Sequence, residues 1–560
     1  MKKLHIYLLL LLGLLVSSCN DWLDVKPRTQ VRNDEMYDSY KGFKDALTAC
    51  YIKMNDRKLY GQQMNISAVE FLAQHWEIDY PNSMVAEVAL KDFDYKDDQA
   101  KTVIKNIYGG LYNVIVQANA VLQNIRDNGQ VITDDATRAV IEGEAYAIRA
   151  FCHFDVLRLF GQIPKNATIQ VALPYAETVS IKAVAYYSYT DFITKIEDDL
   201  TKAETLLKDN DPIFKYTFNQ LNRFESSDAN KITLEDAYMG YRQFRFNYYA
   251  VKALEARFFM YIGETAKAYA AAKAVIDAKN ADGTKVLTLA GTEDYNKGNF
   301  ALPSECVLAL NNFELEDYVN DLFAVDKLNN FTVLYMNVSK IADLFSGQQT
   351  SANNRYNFAW DMSKTDLSGV NKPVLHKYYQ DPDASYSSVD LATQKQVVPL
   401  IRLSEMYLIA METTTSLAEA NTMYIDYMQA RNIPAEGFKS QEDLRVEIVN
   451  EYRREFFGEG IREETKQAIK SALSYYEKEG AEIIDVSIPH ITGGVSVYYI
   501  IAPAEASSNL SRYDGVGFGY RAPGKDIIDM YIKTRSTGFG EEVKRRIMLG
   551  NYVLSAGYYD

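Results

Sequence analysis

The chain holds only four cysteines in 560 residues, Cys19, Cys50, Cys152 and Cys306, and no two are spaced as a CxxC metal or redox motif. With Cys19 assigned below to another task, the odd number left argues against a disulfide framework and for buried free thiols. Histidine is as scarce: His5, His75, His153, His376 and His490 never fall within metal-ligand spacing of one another, so no metal and no cofactor is expected. Basic charge is in deficit, 60 Lys plus Arg against 75 Asp plus Glu, a net charge of -15 that is the wrong sign for wrapping nucleic acid. Beyond the N-terminus no apolar run approaches the roughly 18 residues of a membrane-spanning helix. GxSxG, P-loop and SxxK triad patterns are missing as well, so the chain is not expected to be an enzyme. What is abundant is tyrosine: 42 Tyr beside 25 Phe and 3 Trp supply more flat amphipathic rings than a core needs, and make stacking surfaces an expectation.

Residues 1–18 read as a signal peptide: Lys2 and Lys3, the apolar run Ile6 to Val16, then Ser17-Ser18 before Cys19. The run is roughly half of a bilayer-spanning helix. Small residues directly before a cysteine resemble a bacterial lipobox, which implies that Cys19 becomes the acylated N-terminus and anchors the chain to the outer membrane.

Phe43, Ala46, Leu47, Cys50, Tyr51 and Met54 recur at helical spacing, as do Ile104, Ile107, Tyr108, Leu111, Ile115, Ala118, Leu122 and Ile125. A third long helix is predicted from about 136 to Phe160, stopped by Gly161. Between Tyr248 and Lys279 an alanine-rich stretch is broken once, by Gly263, as in a helical hairpin. The fold class read from these patterns is mainly α, an irregular tetratricopeptide-like scaffold with long loops. The loops 175–189, 289–300, 329–335 and 348–388 are rich in aromatic and polar residues, and loops on a rigid scaffold carry binding surfaces. Trp76, Tyr80, Trp360 and Tyr378 lie in such contexts and are the candidate ligand-stacking residues.

Several segments resemble the SusD/RagB family of nutrient-binding lipoproteins: Asp21-Trp22-Leu23-Asp24, Tyr112 to Ile125 with Ala118-Asn119, Gly143-Glu144-Ala145 with Arg149-Ala150-Phe151, and Phe160 to Pro164. Pro399 to Ala410 (PLIRLSEMYLIA) and Arg453 to Gly458 (RREFFG) follow in the family's order. The resemblance covers residues 19–458. It implies a non-catalytic site for an oligosaccharide or other nutrient, and a SusC-like TonB-dependent transporter as partner. Such motifs do not locate the ligand contacts.

From about residue 459 the pattern changes to α/β, with a strand expected at Ala481 to Ser487. Glu505 to Gly519 (EASSNLSRYDGVGFG) and Gly538 to Asp560 are similar to the A subunit of glutamyl-tRNA(Gln)/aspartyl-tRNA(Asn) amidotransferase, of the amidase-signature family. By that resemblance Arg512 and Asp560 would recognise glutamine through its carboxylate and amino group. The family's Ser-Ser-Lys loop is not found: neither Gly109-Gly110 nor Gly493-Gly494 is followed by the required serines. The tail is therefore expected to be a truncated amidase-like fragment without catalysis. The body, lacking its family's closing segment, is expected to lose cover near Leu444 to Phe456.

Overall fold

The computed structural model describes residues 36–78, 84–162, 170–180, 184–222, 232–298, 300–323, 334–348, 352–363, 365, 369–378, 396–460, 504–514 and 520–554. Cys19, Tyr80, Asp560 and the expected strand Ala481 to Ser487 lie outside these residues. The chain divides into two compact units. One is the body, comprising Met1–Pro164 and Ala172–Tyr475; the other comprises Lys165–Val171 and the tail, Tyr476–Asp560.

The long helices of the body fall where the apolar periodicity puts them. They are α1 (Tyr40–Met54), α3 (Asp98–Asn128), α4 (Asp135–Phe160) and the pair α6 (Tyr248–Ile262) and α7 (Thr265–Ile276). The short α2 (Val85–Lys91) precedes α3, and the longer α5 (Tyr189–Leu207) precedes α6. Further on come α8 (Leu403–Thr413), α9 (Leu417–Ala430) and α10 (Gln441–Glu455). Side-chain caps start many of them: Ser39, Asp97, Asp134, Ser188, Asn247, Ser416 and Ser440 each accept from a first-turn backbone N–H that would otherwise lack a partner. Gly263 sits at φ +88°, the left-handed conformation that lets α6 end and α7 begin two residues later. The buried face of α7 is Ala268, Ala271, Ala272, Val275 and Ile276, while Ala266, Ala270 and Ala274 face outward. Packing proceeds in succession, α1 on α3, α3 on α4, α4 on α5, α5 on α6, α6 on α7, α7 on α8 and α8 on α9. Each amphipathic stripe is thus covered by its neighbour, the logic of a helical-repeat scaffold.

Strands are few among the described residues. β1 (Leu173–Pro174) pairs antiparallel with β2 (Tyr186–Tyr187), β3 (Cys306–Asn311) with β6 (Val397–Arg402), and β4 (Trp360–Asp361) with β5 (Val374–Leu375). All of β6 is buried, and it delivers Arg402 into the interior one residue before α8 starts.

Buried charges staple the helices together, and the resemblance segments supply many of them. Arg149 of α4 forms a two-point pair with Asp199 of α5 (2.6 and 2.7 Å) and donates to Asn119 of α3 (2.8 Å), so one guanidinium ties three helices. Glu144 pairs with Arg242 and Arg245 and accepts from the Tyr51 hydroxyl at 2.7 Å. Arg257 of α6 forks onto Glu405 of α8, both contacts 2.6 Å. The densest cluster joins Arg355, Lys377, Arg402 and Arg431 to Glu305, Glu451, Glu455 and Glu459, four cations facing four carboxylates. Such interior charges are tolerable only when mutually satisfied.

The three cysteines expected to be buried thiols are so, and burial pushes Cys50 up to about 12. His153 is a core residue stacked on Tyr175 at 3.7 Å; its Nε2 accepts from the Ala176 N–H and its Nδ1 faces the Arg149 carbonyl. Burial and the neighbouring Arg149 hold its pKa well below the usual range, so the ring is neutral. The expected loss of cover in α10 is not found: Leu444 and Ile448 are fully buried, and Tyr452 and Phe456 nearly so. The reason lies in the segment 456–460, which folds back into the charge cluster through Glu459 and hydrogen-bonds Glu70 through the Gly460 N–H.

Candidate functional site

The candidate stacking residues that the structure describes are interior. Trp76 is 0% exposed, donates its indole N–H to the Ile66 carbonyl at 2.8 Å, and packs edge-on against Phe323 and beside Trp360. Trp360, in β4, is 2% exposed and meets Phe457 edge-to-face at 5.2 Å. Tyr378 is buried and donates to the Gly458 carbonyl at 2.8 Å. The expectation that these rings face a ligand is therefore corrected: packing against Phe323, Phe457 and the Gly458 carbonyl takes the rings into the core whatever the polarity of their sequence neighbours. None of the three leaves a ring face for a sugar.

A cavity of about 20 Å³ lies between Asn65, Asp155, Arg158, Arg257, Glu459 and their neighbours. That is room for about one water, and the buried Asn65 Nδ2, which has no protein partner, is the group such a water would satisfy.

Exposed aromatic rings occur instead on the loop between α2 and α3, Asp92-Phe93-Asp94-Tyr95-Lys96-Asp97. Phe93 is 55% and Tyr95 52% exposed. The loop is pinned by its own backbone: Phe93 N–H to Leu90 O (3.1 Å), Asp94 N–H to Ala89 O (2.8 Å) and Tyr95 N–H to Phe93 O (3.1 Å). Asp94 accepts from the Lys96 N–H, and Asp97 caps α3. At its base Lys91 and Lys340 both pair with Glu77; partial burial opposes them, but together they lower its pKa. Phe93 stands at φ +55°, a conformation costing a bulky residue about 1–2 kcal/mol. The first two of those bonds are the pair that closes a helix C-terminus, so Phe93 holds the left-handed position that stops α2 and its ring is left outside the core. Two rings flanked by Asp92, Asp94 and Lys96 offer what sugar recognition needs, flat apolar faces with polar groups at their edges. The sequence signal for this loop is the alternation of charged and aromatic residues at 92–97, where every ring has a charged neighbour on each side.

In the tail, α11 (Ile527–Gly538) and α12 (Glu541–Val553) are the described helices of eight residues or more. Arg535 donates to the Leu510 and Tyr513 carbonyls, both at 2.8 Å, and Ser507 donates to Asn551 at 2.7 Å. Arg512 is exposed. Ile527, Ile528, Ile532 and Met548 are more than half exposed, the kind of apolar surface that ordinarily has a covering partner.

Comparison with known proteins finds two families along the chain. Residues 21–222 match the model described as "Starch-binding associating with outer membrane" and 252–463 that of the SusD family, while 406–560 match the amidase model. The chain joins a SusD-type body to an amidase-type tail. The SusD-type fold is shared with a SusD superfamily protein of Bacteroides thetaiotaomicron, TM-score 0.57 at 14% identity, over 79% of this chain and 93% of that one. It is shared also with a putative sugar binding protein of Bacteroides vulgatus (0.54, 19%, 76% and 85%) and with a laminarin binding SusD-like protein (0.53, 16%, 79% and 94%). The tail resembles the A subunit of glutamyl-tRNA(Gln) amidotransferase from Brucella suis, 46% identical over 165 residues, and its counterpart from Rhizobium johnstonii, 44% identical over the same length. Those alignments take in 30% of this chain, which spans about a third (32%) of these relatives.

One expectation changes. An absence of enzyme character is expected from the missing motifs, whereas the amidase match and the amidotransferase relatives make the C-terminal region enzyme-like. The two families also overlap over residues 406–463, and the structure folds 406–460 as body helices α8, α9 and α10 and the turn after them.

Proposed function

We propose that the SusD-type body is the glycan-binding part of an outer-membrane lipoprotein, anchored through acylated Cys19, that passes its ligand to a TonB-dependent transporter. The observation that carries this is the exposed Phe93–Tyr95 pair on a rigid loop of a body whose fold is shared with sugar-binding and laminarin-binding proteins. The lipobox-like Ser17-Ser18-Cys19 supports the anchor. One anchoring signal alone is marginal, and two or more acyl chains give stable attachment. A glycan array on the full chain, followed by calorimetry of wild type and of Phe93→Ala/Tyr95→Ala, tests the reading. Binding to at least one glycan, weakened in the double variant, supports it; an array with no bound glycan refutes it.

A second reading attaches to the tail, favoured by its similarity to the amidotransferase relatives. Arg512 and Asp560 are proposed to hold the carboxylate and amino group of glutamine. Calorimetry with glutamine, comparing wild type with Arg512→Ala, tests this, and equal heats in the two would remove it.

A further inference from the structure

A second aromatic surface lies on the body, built from elements that the Phe93–Tyr95 loop does not include. Tyr108 and Tyr112 stand one turn apart on α3 with ring centroids 4.8 Å apart, and Phe160, the last residue of α4, backs Tyr108 edge-to-face at 5.0 Å and 89°. β2 brings Tyr186 and Tyr187 alongside. Tyr112 donates to the Pro174 carbonyl at 2.6 Å, and Pro174 is the register partner of Tyr186, so the hairpin β1–β2 is fastened to α3 at this point. The phenol groups of Tyr108, Tyr112 and Tyr186 lie close enough to interact: burial raises the pKa of both Tyr108 and Tyr112, the hydrogen bond between them opposes the rise at Tyr108 and adds to it at Tyr112, and Tyr186 adds to both. Lys195 stands over the Tyr187 ring at 4.8 Å and pairs with Glu177 at 2.6 Å. Tyr186 itself is 69% exposed, and Tyr108, Tyr112 and Tyr187 are half-buried.

We infer that this surface is a second carbohydrate-contact site, an inference that rests on the glycan-binding reading of the body. Three features point to a sugar. Tyr108 is fixed by packing against Tyr112 and Phe160, so stacking on this pair of tyrosines costs little ordering. The neighbouring hydroxyls of Tyr108, Tyr112 and Tyr186 match a sugar's ring of hydroxyls, each able to donate and accept. The size is also right: four partly buried rings expose well under the roughly 800 Å² per partner that a stable protein interface needs, and suit one or two sugar units. Tyr186 comes from the tyrosine-rich segment 175–189, which the core leaves facing out at this ring.

The test is calorimetry on the full chain with laminarin- and maltose-series disaccharides and hexasaccharides, using wild type, Tyr186→Ala, Tyr186→Phe and Phe93→Ala/Tyr95→Ala. Tyr186→Ala is expected to weaken a bound hexasaccharide about 2- to 12-fold, the range for one stacked ring. Tyr186→Phe, which keeps the ring, is expected to stay within about 2-fold of wild type, and both variants keep the wild-type melting temperature because the side chain is exposed. Unchanged affinity in Tyr186→Ala for every sugar that wild type binds, while Phe93→Ala/Tyr95→Ala weakens, overturns this site and leaves the body's function standing. No binding by wild type overturns both.

Discussion

Replacing Glu455 with alanine removes the one carboxylate that three guanidiniums share. Its Oε1 accepts from Arg402 (2.7 Å) and Arg431 (2.9 Å), and its Oε2 from Arg431 (3.1 Å), Arg355 (3.2 Å) and the Tyr427 hydroxyl (3.0 Å). Complete burial would raise its pKa, yet the three arginines hold it well below the usual carboxylate range. Without it, four cations would face three carboxylates in the interior. Breaking a buried pair costs about 3–5 kcal/mol. Arg402 keeps Glu305 and Glu459, Arg431 keeps Glu305, and Arg355 keeps Glu451, which places the expected loss near the lower end. For a body on the order of 400 residues the unfolding entropy is roughly 0.8 kcal/mol per kelvin, so about 3 kcal/mol becomes a drop of about 4 °C. Differential scanning calorimetry of wild type, Glu455→Ala and Glu455→Gln reads it directly. The glutamine is expected to recover part of the loss, because its amide oxygen still accepts while its NH₂ opposes the arginine donors. A Glu455→Ala melting temperature within about 1 °C of wild type would refute the reasoning, since the cluster would then hold no net stability at this position.

Trp76→Ala is expected to cost about 3–5 kcal/mol, as for a large core aromatic, and circular dichroism during urea unfolding checks it; a neutral result would return Trp76 to the surface. Phe93→Gly releases the left-handed strain and is expected to stabilise by about 1 kcal/mol while weakening glycan binding, a pair of opposite effects that melting and calorimetry read separately. Glu255 is pushed up to about 7, chiefly by burial, so the folded state holds its proton more tightly than the unfolded chain does. Its contribution therefore rises as pH falls from about 7 towards the ordinary carboxylate value, the reverse of Glu455 and Glu451, whose stabilisation is lost only as pH falls below that value. Glu255→Gln is expected to flatten the melting temperature between about pH 5 and 7, and an unchanged slope would contradict the assignment. Mass spectrometry of the N-terminal peptide of the membrane fraction is expected to find Cys19 acylated; an unmodified Cys19 would end the lipoprotein reading.

The helices are legible in the sequence because their stripes are long. Ile107 to Ile125 leaves no period but 3.6, and Gly263 marks the one point where α6 must turn left-handed. The buried charges are half legible. Glu144, Arg149, Arg402 and Glu455 stand in segments that resemble the family, but nothing in the sequence says that Arg149 finds Asp199 fifty residues on, because ion pairs at long range leave no period. The aromatic residues mislead for a related reason. Trp76 lies in an irregular segment and Trp360 in a two-residue strand, both among polar neighbours, and there orientation follows tertiary packing, so sequence context does not amount to exposure. Phe93 is hard to single out because one phenylalanine between aspartates looks like noise until its exposure is seen.

The way residues 456–460 close the body bears on how it would behave under cleavage or load. Glu459 answers both Lys377 and Arg402, and the Gly460 N–H is held by Glu70. A protease cutting just after this point would leave every one of those bonds in place, so the body's last described residues work as a latch. Force applied to the chain beyond Gly460 would meet that latch first, drawing on a set of buried ion pairs before any helix is asked to unwind.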